Sequence, residues 1–298
     1  MQRILSGHGS AVYALAVLAD GRLASGSGDR TIMLWDPSSG ESVGTLEGHS
    51  DWVVTLTTLP DGRLASGSGD GTIRLWDPVL CACVATLKGH SLSVNALAVL
   101  PDGRLASGSE DATIRLWDPI SGEDDATLKG HSFEVSSLAV LGDGRLASGS
   151  DDASIRLWDP ASGECVGSLE GHAHGVNALV VMPDGRLASG SGDATIRLWD
   201  PASDACVATL RGHDDWVNAL AVLADGRLAS GSLDATIRLW DPTSGTSCVS
   251  ERGDAGWVMT LVSLPDGELV AGAEDGTIRL WDPAQDVCAA NLEGLVAG

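Results

Sequence analysis

Residues 53–90 read VVTLTTLPDGRLASGSGDGTIRLWDPVLCACVATLKGH, and the reading of this stretch decides the fold. Residues 53–59 are apolar on both alternating parities, the pattern of a strand buried on both faces. Asp61-Gly62 supplies a hairpin turn that needs a positive φ, and residues 64–68 form a second short strand. Asp70-Gly71 makes another tight turn, and residues 72–76 (TIRLW) form a β-branched-rich third strand. Asp77-Pro78 opens a loop, and residues 83–87 (CVATL) form a fourth strand before Gly89-His90. Four short strands joined by hairpin-length connections predict an antiparallel meander.

The unit recurs along the whole chain. Trp35, Trp76, Trp117, Trp158, Trp199, Trp240 and Trp281 stand 41 residues apart, each followed by Asp-Pro. A length of 298 residues suggests about two domains, but a strict period of this size means a solenoid, propeller or array. The expectation is one domain over residues 1–298, seven 41-residue repeats with an 11-residue overlap at the ends. A single such sheet has two apolar faces and can bury neither alone. Stacking on like neighbours buries both, and closing the ring leaves only short edges. The prediction is an all-β, seven-bladed β-propeller with four antiparallel strands per blade. A linear stack would need polar terminal caps, and neither end looks like one.

Composition narrows the function. With 43% hydrophobic residues and a mean hydropathy of +0.10, the chain has the makings of a core and is not a disordered one. No apolar stretch approaches the roughly 20 residues of a membrane span, and the opening MQRILSGH lacks an apolar signal core. Lys plus Arg is 18 against 41 Asp plus Glu, a formal charge of −23. Such a surface repels phosphate backbones, so nucleic acid and anionic membranes are excluded as expected partners, and basic or apolar protein surfaces are favoured. Ten Trp against one Tyr (Tyr13) and one Phe (Phe133) mark Trp as serving a repeated task.

Each repeat also places a His after Gly, a Ser in the second strand and an Asp in the next turn; in repeat two these are His49, Ser66 and Asp70, with Trp76. A Ser-His-Asp set invites a hydrolase reading. The structural reading is that the imidazole bridges the Asp and the Ser, whose hydroxyl takes the indole N–H. Six copies favour glue over catalysis, because an active site would be single and asymmetric. The seventh unit departs: Asp254 replaces His, Ala271 replaces Ser, and Glu251 stands where other copies have a Leu such as Leu210. Blade seven is therefore expected to be the least stable, or its departure to serve a partner.

The motif GH…LASGSxDxTIRLWD resembles the WD-repeat β-propeller family, over essentially the whole chain. The resemblance implies the same structural use of His49, Ser66, Asp70, Trp76 and their equivalents in the other repeats. It further implies protein binding on the narrow face, through three variable positions per blade: two flanking the first Val of the inner strand, and the residue before the turn Asp. Carried over, these positions include Tyr13, Trp52, Val54, Glu110, Glu134, Asp151, Trp216, Leu233, Trp257 and Met259. All three non-repeat Trp fall among them, and exposed Trp clusters are unusual on a surface with no partner. An Arg two residues after the WD pair is absent, which weakens a ubiquitin-ligase adaptor reading.

Other local signals are quieter. Of the six cysteines, Cys83, Cys165, Cys206 and Cys288 share one phase, too far apart between blades to pair, and Cys81 is one residue from Cys83. Reduced thiols in a cytoplasmic protein are expected, with no metal and no cofactor. His174, outside the repeat phase, is expected in an exposed loop. The loop after each WDP ends on Gly40, Gly122, Gly163 or Gly245; Asp204 and Asp286 are acceptable there, whereas Cys81 implies a loop that is strained or differently shaped. The P-D-G segments lack the Lys and following helix of a phosphate loop.

The expected function is a non-catalytic, monomeric scaffold binding a basic segment with an apolar anchor. An aromatic arc on blades six, seven, one and two would lie beside the acids of blades three and four. A small-molecule or glycan binder using the axial channel is the alternative; it needs converging unlike polar groups, where the inner strands offer Ala, Val and Leu beyond their first residues. A recently amplified or engineered repeat without a selected partner stays open beside both. Ring closure has two candidates, residues 2–5 and 288–292, each resembling a fourth strand. Ile4 and Leu5 have the better strand propensity, so the amino-terminal segment is expected to clasp the last blade.

Overall fold

The computed structural model describes residues 2–252 and 256–283. These residues form seven four-stranded antiparallel sheets and, among the described residues, no helix. Blade one is Val12–Val17, Leu23–Ser27, Thr31–Trp35 and Ser42–Glu47 in consecutive order, and blades two to six repeat that order. Each inner strand packs on the next, and Val258–Ser263 of blade seven returns to pack on Val12–Val17, closing the ring.

Closure is made by the amino-terminal segment. Arg3–Leu5 pairs antiparallel with Ile278–Trp281, in the register Arg3↔Leu280 to Leu5↔Ile278, and becomes the outer strand of blade seven. Leu5 is buried there with Ile278 and Leu280. The rival segment, residues 288–292, lies outside the described residues.

The meander sequence explains the packing. The second strand LASGS is wholly buried in blades one to six, so its small side chains let neighbouring blades approach. At Gly67 a Cβ would lie 2.7 Å from Val94 Cγ1 of the next blade, an approach only glycine permits. Each repeat Trp faces the preceding blade: Trp76 sits in one apolar cluster with Ile32, Leu34 and Leu46 of blade one. Asp-Gly turns take the predicted positive φ at Gly62 and Gly71 (88° and 76°). In blades three to six Ala holds that second turn position, with φ of 61–66° at Ala112, Ala153, Ala194 and Ala235.

A second, polar contact links blades. In blades one, three, four and five the Arg that follows the first Asp-Gly turn donates to the carbonyl of the next blade's WDP proline, for example Arg104 to Pro160 O at 2.9 Å and Arg145 to Pro201 O at 2.8 Å. In blade seven the corresponding residue is Glu268, and Arg3 donates both to Glu268 and to Pro37 O of blade one.

Candidate protein interface

Six polar networks hold the blade ends. In blade two His49 Nδ1–H donates to Asp70 Oδ2 at 2.9 Å, Ser66 donates to His49 Nε2 at 2.7 Å, and Trp76 Nε1–H donates to Ser66 Oγ at 2.8 Å. The same constellation recurs at His8, His90, His131, His172 and His213. Asp70 also accepts from the Ser50 and Thr72 N–H groups and the Thr72 hydroxyl. Burial would raise its carboxyl, but the bonds from Thr72, Ser50 and His49 outweigh that and hold it at about 2. Burial pushes His49 below the usual imidazole value, against the pull of Asp70, and keeps it neutral. Ser66 is fully buried and its hydroxyl is committed on both sides, which is the geometry of glue.

In blade seven Ala271 is buried at the Ser position, and Asp275 bonds Thr277. Asp254 lies outside the described residues. Glu251 pairs in register with Ile237, as Leu210 does with Ile196, so it does occupy the Leu position.

One face carries the variable positions. The inner strand's start and the residue before the turn Asp are joined by a backbone bond in every blade, for example Glu110 N–H to Ser93 O and Asp151 N–H to Glu134 O, both 3.0 Å. Leu233 N–H to Trp216 O and Glu274 N–H to Trp257 O are their counterparts, also 3.0 Å. The predicted residues therefore do share a rim, and they divide into three groups.

Tyr13 and Trp52 stack across blades one and two, centroids 5.5 Å apart at 18°. Burial and the neighbouring Glu274 push the Tyr13 phenol up. Val54 and Met259 line the mouth of the axial channel with Tyr13, as do Glu110 and Glu134. Trp257 and Leu233 stay on the rim, Trp257 exposed and Leu233 half-buried.

Glu110, Glu134 and Asp151 form the second group, lining a groove of ≈ 540 Å³. Burial, then Asp151 and Glu110, raise the Glu134 carboxyl. Two residues that the motif transfer missed flank them: Leu92, and Phe133 at 61% exposure. Phe133's only signal was its singularity in the composition.

Trp216 belongs to a third group. It leans over Gly192 of blade five and lines a groove of ≈ 310 Å³ with Phe133, Asp151 and the exposed His174. The aromatic arc is thus not continuous; Trp216 faces the acids, away from the Tyr13–Trp52 stack.

Two further expectations need correction, and one with two alternatives is resolved. The channel is not lined by Ala, Val and Leu alone below its mouth, since Thr55, Ser137 and Thr260 also reach it. Cys81 resolves its alternatives as strain, with a φ of 50° where Gly40 and Gly122 have 78°. The thiols are not all reduced: Cys81, Cys83, Cys165 and Cys206 are free, but Cys248 is disulfide-bonded. Asp286 and Cys288 lie outside the described residues. Among the described residues no His, Cys, Asp and Glu cluster has the makings of a metal site.

Comparison with known proteins agrees with the repeat. The family model for the WD domain, G-beta repeat, matches residues 1–36, 40–77, 81–118, 122–159, 163–200, 204–241 and 246–282. No curated protein matches the chain. Matched in all seven of its blades, the chain belongs to the WD-repeat family.

Proposed function

We propose that this propeller is a non-catalytic scaffold that binds a protein partner on the face bearing the inner-strand starts, and that the partner presents a basic segment with an apolar anchor. WD propellers commonly mediate protein interactions, and the chain's membership makes that the coarse expectation. The observation that carries the finer reading is Glu134, half-buried between Glu110 and Asp151 and flanked by exposed Leu92 and Phe133. A carboxylate that burial and two acidic neighbours push up, as Glu134 is, is stabilised by an arriving cation, and the flanking side chains give its aliphatic stem or neighbour a dry surface. A net charge of −23 would speed the encounter.

A basic-peptide array tests this against wild type, Trp257→Ala and Glu134→Lys. Loss of binding in Glu134→Lys is expected, with a smaller loss in Trp257→Ala. Equal binding by all three proteins, or a preference for acidic peptides, would overturn the reading.

A further inference from the structure

We propose that the mouth of the axial channel is a second binding site, for a neutral polyhydroxylated ligand such as a hexose or the end of a short glycan. The channel encloses ≈ 500 Å³, within the ordinary range of small-ligand sites. Its wall is repeated at one level and varied at another. Leu15 and its counterparts in the other blades form an invariant ring lining the channel. Two residues earlier in each strand the copies differ, and they differ in an ordered way. Blades three to six contribute Asn95, Ser136, Asn177 and Asn218, while blades seven, one and two contribute Met259, Tyr13 and Val54. The mouth is therefore half amide and half apolar.

The hydrogen-bond inventory of the amide half selects the ligand class. Asn177 Nδ2 donates to Asn218 Oδ1 at 3.2 Å, which leaves Asn177 its carbonyl oxygen and Asn218 its NH2 group. Asn95 Oδ1 accepts from the Ser93 hydroxyl at 2.8 Å and keeps its NH2 group. Around the arc a ligand thus meets a donor, the Ser136 hydroxyl, an acceptor and a donor. Hydroxyl groups, which both donate and accept, match this series. A cation would be drawn by Glu110 and Glu134 but would face two NH2 groups of the wrong polarity on the amide wall, which makes agmatine the competing probe. An anion would meet Glu110 and Glu134 at the same mouth, and those carboxylates suit hydroxyl donors. The opposite wall offers Tyr13, held in place by its stack on Trp52, to the C–H face of a sugar ring.

The full chain is titrated with methyl α-glucoside, α-mannoside and β-galactoside, and with agmatine, by saturation-transfer NMR and intrinsic fluorescence. At least one glycoside should bind saturably with a Kd of about 1 mM or below. Asn177→Leu should weaken it about tenfold, because a hydrogen-bond partner of the ligand hydroxyl is lost. Asn218→Ser, which keeps a polar group and demands less of the fold, should weaken it less. Neither change should alter basic-peptide binding, which separates this site from the acidic groove. The proposal is overturned if no glycoside binds, if binding is unchanged in both variants, or if agmatine binds at the channel in preference to the glycosides.

Discussion

Arg3 and Glu268 join the first strand of the chain to its last blade, and the pair inverts a contact used elsewhere in the ring. In blades one, three, four and five the hairpin Arg reaches the next blade's proline carbonyl directly. At the seam Glu268 replaces that Arg, and Arg3 supplies the guanidinium for Pro37 O. The seam thus reads its own partner: an Arg at position 268 would repel Arg3. Glu268→Arg is expected to lower stability by about 1 kcal/mol, since the pair is partly exposed. Arg3→Glu with Glu268→Arg should recover part of it. Leu5→Ala, emptying a buried site in the same strand, should cost about 2–4 kcal/mol. Urea denaturation of the four proteins measures all three effects.

Ser66→Ala removes the shared hydroxyl and leaves His49 Nε2 and the buried Trp76 indole N–H without their partner. A loss of about 1–3 kcal/mol is expected, from thermal or urea unfolding. Blade seven already has Ala271 at the equivalent position. Hydrogen exchange should therefore be faster in Leu269–Ala273 than in Leu105–Ser109 of blade three; equal protection would contradict the role given to the networks.

Much of this was legible in the sequence for one physical reason: the same 41 residues solve the same burial problem seven times. The Trp phase, the Asp-Gly turns and the His-Ser-Asp spacing each carry a local constraint, so strands and networks could be read from a single unit. The clasp was legible because Ile4 and Leu5 match a fourth strand. Phe133 and the orientation of Trp216 were not, because rim side chains point where neighbouring blades leave room, and Gly192 leaves it toward blade five. The half-polar channel mouth was missed for a related reason: period analysis sees what repeats, and Asn95, Asn177 and Asn218 matter by where they meet. The Cys248 disulfide was illegible because phase says nothing of which thiols approach.

Acidification should weaken the fold. Burial lowers His49, His90, His131, His172 and His213 below their ordinary 6.5, so below that pH the unfolded chain takes up protons that the folded chain does not. Their contribution is complete above pH 6.5 and is lost as pH falls beneath it. Asp70, Asp111 and Asp152, held at about 2 instead of 3.8, act lower still: their stability is present above 3.8 and lost as pH falls through about 2. Urea midpoints should hold nearly level from pH 7.5 to about 6.5 and then fall toward pH 5, a window in which most surface carboxylates stay ionised. A midpoint that rises toward pH 5 would contradict this.

Cys81 holds a left-handed φ of 50° at a loop position where Gly40, Gly122, Gly163 and Gly245 have 71–78°. Cys81→Gly should raise stability by about 0.5–1 kcal/mol, the relief of backbone strain less the added freedom of the unfolded chain. A differential scan of the two proteins under reducing conditions checks it.

The proposed partner brings a basic segment into the acidic groove around Glu134. Fluorescence anisotropy with a labelled peptide, Lys and Arg flanking a single Leu, tests it most directly, at low and at high salt, on wild type, Glu134→Lys and Phe133→Ala. Saturable binding to wild type that weakens as salt rises is expected, with a loss of about tenfold or more in Glu134→Lys and a smaller, salt-independent loss in Phe133→Ala. Binding that is indifferent to salt and equal in wild type and Glu134→Lys would contradict it.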